Sequence, residues 1–200
     1  MEIEVSGDQI KLNKELNDLD KLVIDFVKIL DRNKVNYVLV SGYVSILFGR
    51  SRSSEDIDII VEKISEKQFS TLWRDILKSF ECIITDNLKD AYENYLMQRS
   101  SVRFSRKGEF IPNMELMFPK AEDLDNWVLN NGKQVILNGK VIKISPIELQ
   151  IPYKLFLDSE KDIEDARHLY KLFNGKMDQK LFKQFLVKLD KKGRFNKYLI

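Results

Sequence analysis

Residues 38–62 read VLVSGYVSILFGRSRSSEDIDIIVE, and the last third of that stretch decides the fold. In EDIDIIV, Asp56 and Asp58 interrupt a run that otherwise has the composition of a buried strand. Unpaired carboxylates are expensive to bury, and two together are worse. On a strand, positions i and i+2 share a face, so both aspartates project one way while Ile57 and Ile59 project the other. Two carboxylates so placed repel unless a cation lies between them, and Mg²⁺ (or Mn²⁺) takes hard oxygen ligands together with substrate phosphates. The pair alone is equally compatible with an edge strand whose acidic face meets water.

Upstream, VLVSG reads as an apolar strand closed by Gly42, and YVSILFG as a short helix stopped by Gly49. A strand-to-helix turn of this kind exposes backbone N–H groups, and glycine lets a phosphate approach them. It is also an ordinary connection. Arg50 and Arg52 lie between that turn and the aspartates. Together the pieces form a coherent apparatus for a nucleoside triphosphate. Two metals would need a third carboxylate to complete their ligands. In NMELMF the acid Glu115 stands alone among apolar residues of an expected strand; Glu109 is the competitor, beside an expected Lys107-Gly108 turn.

The rest of the chain frames this unit. Spacings of three and four (Leu16, Leu19, Val23, Phe26, Leu30) predict a helix capped by Asn13 and ended by Asn33. It follows two short strands around Ser6-Gly7-Asp8. Phe69, Leu72, Trp73, Ile76 and Phe80 predict a second helix capped by Ser65, then a strand at ECIITD and a helix at LKDAYENYLMQ. Asn138-Gly139 marks a hairpin. From Ser145 onward the chain reads as helical, with Ser145, Pro146 and Glu148 forming an expected capping box. The expectation is an α+β fold: a mixed sheet bearing helices over residues 1–144, and a helical C-terminal region over 145–200.

Composition narrows the function. With 200 residues and 44% hydrophobic content the chain can bury a substantial core. A formal net charge of +2 argues mildly against a long nucleic-acid interface, although KLDKKGRFNK and RSSVRFSRKG are local basic patches. One cysteine, Cys82, excludes an internal disulfide and a cysteine metal cluster, and reads as a small core residue. No apolar run approaches the ~18 residues of a membrane span. The N-terminal MEIEVSGDQI lacks a signal-peptide pattern, so a cytoplasmic location is expected.

LVSGYVSILFG, RSRSSEDIDIIV and MELMF together resemble the nucleotidyltransferase superfamily of DNA polymerase beta-like fold. The nearer likeness is to its small prokaryotic branch of minimal nucleotidyltransferases and abortive-infection toxins. That family carries a glycine pair or Gly-Ser, an Arg-x-Thr-x-Asp-x-Asp-like segment and an apolar–acid–apolar strand. Its later Ser-Pro-x-x-Leu…Lys…Lys-Asp-x-x-Asp pattern is similar to SPIELQIPYKLFLDSEKDIEDARHLYKLF.

The resemblance spans residues 36–173. It implies metal binding by Asp56, Asp58 and Glu115, with one of the three activating an acceptor hydroxyl. It implies triphosphate contacts from Ser41 and Gly42, with Lys154 reaching toward the nucleotide; a surface lysine is the alternative. Lys161, Asp162 and Asp165 would have a structural or substrate-orienting role. His168 reads as packing or surface, and Tyr43 as core, or as a stacking platform for a base. The implied activity is transfer of a nucleoside monophosphate from NTP to tRNA, a protein or a small molecule, within or outside a toxin–antitoxin pair. A non-catalytic partner of a toxin or antitoxin and a metal-dependent nuclease are the rival readings. Two departures stand out: Ser41-Gly42 replaces the glycine pair, and Glu115 replaces the more usual Asp.

Overall fold

The computed structural model describes residues 2–7, 9–120, 122–190 and 192–200, so Asp8 of the expected first turn lies outside the described residues. The described residues build one nine-stranded mixed sheet. In sequence its strands are β1 (Glu2–Ser6), β2 (Gln9–Asn13), β3 (Tyr37–Leu39), β4 (Asp56–Val61), β5 (Phe80–Cys82), β6 (Val102–Arg106), β7 (Asn113–Met117), β8 (Lys133–Leu137) and β9 (Lys140–Ile144). The spatial order is β1-β2-β8-β9-β3-β4-β7-β6-β5. Strand β4 is therefore central, and its acidic face is not an exposed sheet edge.

Helices α1 (Asp18–Arg32), α2 (Gly42–Leu47), α3 (Glu66–Ile76), α4 (Leu88–Asp90), α5 (Glu122–Asn131), α6 (Ile147–Leu157), α7 (Glu160–Phe173), α8 (Gln179–Leu189) and α9 (Arg194–Tyr198) complete the described architecture. The expected helix over LKDAYENYLMQ is irregular, passing from α4 through a wide π turn into a tight 3₁₀ turn at Leu96–Gln98. Among the described residues no helix is long and apolar enough to cross a membrane.

The period-2 rule sorts the central strands cleanly. Tyr37 and Leu39, Ile57, Ile59 and Val61, and Met114 and Leu116 enter the large core, which also takes in apolar residues of α1, α3, α6 and α7. Val38, Ile60 and Met117 face the other way, into a smaller cluster with Val128 and Leu129 of α5, Leu149 of α6 and Phe185 of α8. The acids of β4 and β7 belong to that second face.

Two expected helix starts fall elsewhere. The cap of α1 is Asn17, whose side chain accepts from Asp20 N at 2.8 Å while Asp20 accepts from Asn17 N at 3.0 Å. Asn13 is committed to the β1 ladder opposite Glu2 and cannot cap. Ser145 does not cap α6 either. Its amide donates to the Leu39 carbonyl at 2.8 Å, and Glu148 instead accepts from Lys133 Nζ and Asp178 N, both at 2.9 Å. Ser65 does cap α3, in a capping box with Gln68. The α5 helix carries no expectation from the sequence; its apolar pattern is too sparse for period counting.

Tyr43 is fully buried and its hydroxyl donates to Asp20 Oδ1 at 2.9 Å, so it is a core residue and no stacking platform. Asp20 is itself buried and also receives Lys14 Nζ at 2.9 Å. This contact joins the start of α1 to the turn that carries Ser41 and Gly42. Replacing Tyr43 by Phe leaves one lobe of a buried carboxylate unmet and should cost about 1–3 kcal/mol, read as a lower urea midpoint with unchanged slope.

Candidate active site

Strands β4 and β7 run parallel in a register that sets Asp56 beside Asn113, Asp58 beside Glu115 and Ile60 beside Met117. The rows grade from solvent to core: Asp56 is exposed, Asp58 half-buried and Ile60 buried. Asp58 thus stands where an acidic ladder passes under the cover of α5 and α6. Burial first, then the negative field of Glu115, pushes the Asp58 carboxyl above its usual range; Asp56 adds to the effect, and a hydrogen bond from Ser41 opposes it.

Ser41 reaches that position because β3 continues to pair beyond its last residue, Val40 N donating to the Asp58 carbonyl at 3.0 Å. The Ser41 backbone has φ 60 and ψ −134, a conformation natural to glycine and strained for serine. Its carbonyl accepts from Gln150 Nε2 of α6 at 3.0 Å, which helps hold the strained turn. The sequence departure at this position is therefore a real departure in the backbone. Beside it, Val40, Ser41, Asp58, Ile60, Lys120, Ser145, Gln150 and Tyr153 are among the residues lining a pocket of about 320 Å³ between the sheet, α5 and α6. This is the lower end of the size range of small-molecule sites.

Gly42 serves a contact as well as a turn. A Cβ placed there would lie 2.0 Å from Arg52 Nη2, so the guanidinium packs directly against the Gly42 backbone. Arg52 Nε meets Asp165 Oδ1 at 3.2 Å, and Arg50 Nε meets the same oxygen at 3.7 Å. Lys154 departs from both sequence alternatives. It is 1% exposed, and its Nζ lies 2.9 Å from Asp162 Oδ1 and 2.8 Å from Asp165 Oδ2, so it is a buried network member, neither a surface lysine nor a free arm toward a nucleotide. Lys161 is exposed, while Asp162 and Asp165 are buried. His168 Nε2 donates to the Phe48 carbonyl at 2.9 Å, tying α7 to the end of α2.

Glu115, the expected third acid, stands beside Asp58 in the register but is already engaged by neighbouring side chains. Arg103 lies opposite it across the β6–β7 register and pairs with Oε1, while Ser101 Oγ donates to Oε2 at 3.2 Å. Among the described residues no group of three His, Cys, Asp or Glu side chains is arranged to hold a metal ion. Asp56 and Asp58 nevertheless fit a divalent cation. They are hard oxygen donors on one strand face, and the repulsion felt at Asp58 is what a cation would relieve. Glu109 is exposed beside its turn. Several arginines of the basic patches are already paired: Arg103 with Glu115, Arg106 with Asp25 at 2.8 Å, and Arg194 with Asp158.

No family model and no curated protein matches the chain. Solved structures do. An antigenic nucleotidyltransferase-like protein from Paracoccidioides brasiliensis superimposes with a TM-score of 0.57 at 17% identity, over 91% of this chain and 92% of that one. The fold is that of the nucleotidyltransferases. The antibiotic-resistance factor ANT(2'')-Ia gives a TM-score of 0.50 at 9% identity, covering 90% and 97%. At these identities the nucleotidyltransferase likeness is one of architecture.

A carboxyl whose folded pKa lies above its unfolded value of 3.8 supports folding while protonated, and that support is lost as pH rises through the folded value. Asp58→Asn should therefore be more stable than wild type in metal-free buffer at about pH 7. The gain should shrink on acidification and vanish below 3.8, as followed by urea unfolding across the range.

Proposed function

We propose that the chain transfers a nucleoside monophosphate from an NTP to an acceptor hydroxyl, with release of pyrophosphate. The observation that carries this reading is the placement of Asp56 and Asp58 in a register-locked ladder beside the strained Ser41 turn, opening onto a pocket, on a nucleotidyltransferase fold. Such a site supplies hard oxygens at one edge, a guanidinium at Gly42 and a half-open pocket alongside.

In this reading Asp56 and Asp58 would hold Mg²⁺ or Mn²⁺, which when bound neutralises charge developing on the triphosphate. The Ser41–Gly42 turn and Arg52 orient the phosphates. Arg52 does so as a planar donor fork, which suits phosphate oxygens. The acceptor oxygen forms the new bond to the α-phosphorus as the bond to the pyrophosphate oxygen breaks. Asp58, the acid that lines the pocket, is placed to take the acceptor's proton. Positioning and electrostatics supply most of the acceleration in such transfers. The pocket's size suits a mononucleotide or a small hydroxylated acceptor; tRNA or a protein would present its hydroxyl at the pocket's mouth.

One observation favours a second reading. Arg103 neutralises Glu115, as would suit a non-catalytic partner of a toxin or antitoxin that keeps the fold without a complete acid set. Incubation with each α-labelled NTP, total tRNA and total protein separates the two. The catalytic reading expects label in one fraction, and loss of about a hundredfold or more on Asp58→Ala. Equal labelling by wild type and Asp58→Ala defeats it. Absence of labelling together with tight capture of one cognate protein supports the partner reading.

A further inference from the structure

We propose that Asp165 is a positioning residue for the nucleotide, holding Arg52 over the Gly42 turn before substrate arrives. The inference rests on the transfer reading above and adds a residue 107 positions beyond Asp58 in sequence to that site.

Asp165 lies in the middle of α7 with a side chain that is 0% exposed, yet three cations converge on it. Oδ2 faces Lys154 Nζ at 2.8 Å; Oδ1 faces Arg52 Nε at 3.2 Å and Arg50 Nε at 3.7 Å. A tie between α6 and α7 needs only Lys154 and Asp162, which already meet at 2.9 Å. Asp165 reaches further, to the loop between α2 and β4. By engaging Arg52 through Nε it turns the Nη end toward Gly42, where the structure leaves no room for a Cβ.

Without that anchor, a long side chain that is partly exposed has many other rotamers, and ordering it costs free energy on binding. Preorganisation of this kind raises affinity without adding a contact to the ligand. The network is also short of ideal hydrogen bonds: Arg50 Nε, Arg52 Nε and both Asp165 oxygens are buried without a well-aligned partner. Lys154 also pairs with Asp162 and Arg50 faces Glu164 at 4.0 Å, so three carboxylates share the three cations, and the two arginines stand at the partly open side of the cluster. An arriving phosphate finds guanidiniums held in place by ion pairs that lack well-aligned hydrogen bonds.

A double-mutant cycle tests this. MgATP, MgCTP, MgGTP and MgUTP are each titrated calorimetrically into wild type, Arg52→Gln, Asp165→Asn and the double variant. The proposal expects each single change to weaken the preferred nucleotide about tenfold, and the double variant to be no weaker than Arg52→Gln alone. A merely structural role for Asp165 would give additive losses, and that result overturns the proposal. Undiminished or tighter binding by Asp165→Asn overturns it too, while leaving the transfer reading intact. Failure of wild type to bind any of the four nucleotides overturns both. Should Asp165→Asn not fold, because it leaves Lys154 short of a counter-charge, Lys154→Met/Asp165→Asn takes its place in the cycle with the same expectations.

Discussion

The parallel pairing of β4 with β7 is the constraint on which the rest depends. It fixes Asp58 directly beside Glu115, and it does so because both strands alternate strictly between two different faces. One face sends Ile57, Ile59, Met114 and Leu116 into the main core, where a one-residue slip would drive carboxylates into hydrocarbon. Apolar burial on one side thus enforces carboxylate proximity on the other. The repulsion this creates at Asp58 is a local cost carried by the whole sheet. Proteins tolerate such costs where the frame is over-determined, and they do so most often at functional sites.

A second, electrostatic constraint joins the helical tail to the front of the sheet. Lys154, Asp162, Asp165, Arg50 and Arg52 form one chain of ion pairs from α6 through α7 to the loop before β4. His168 adds a hydrogen bond to the Phe48 carbonyl. Buried charges are costly to desolvate and are kept only where each has a partner. The loop carrying Arg50 and Arg52 has no strand pairing of its own, so the conformation of its arginines is dictated by residues more than a hundred positions later. Gly42 completes this arrangement from the other side by offering bare backbone to Arg52.

Much of this was legible in the sequence, and the reasons differ from residue to residue. Asp56 and Asp58 were readable because period 2 is a property of the strand itself, as was the Asn138-Gly139 turn, where both residues have positive φ. The single acid in MELMF was readable as an oddity, but its partner was not. Arg103 meets Glu115 only through the β6–β7 register, which no local pattern encodes. Lys154 failed for the same reason: an amphipathic helix shows that a lysine is present, not that two aspartates of the next helix will enclose it. The caps at Asn13 and Ser145 matched local rules and lost to ladder hydrogen bonds, which commit the same backbone first.

Ser41 shows how these constraints combine. A serine at φ 60 is held in a glycine-like conformation by three separate restraints: the Val40–Asp58 ladder bond before it, Gln150 on its carbonyl, and the close Arg52–Gly42 contact after it. Glycine would remove the strain, but it would also remove the hydroxyl that bonds Asp58 and opposes the rise of its pKa. The backbone cost of serine and the electrostatic cost at Asp58 are therefore linked through one hydrogen bond. A chain that needs Asp58 ionised, to meet a cation, gains from the serine what it loses in backbone freedom. The serine in place of the first glycine thus supports the charged state of the central acid through that hydrogen bond.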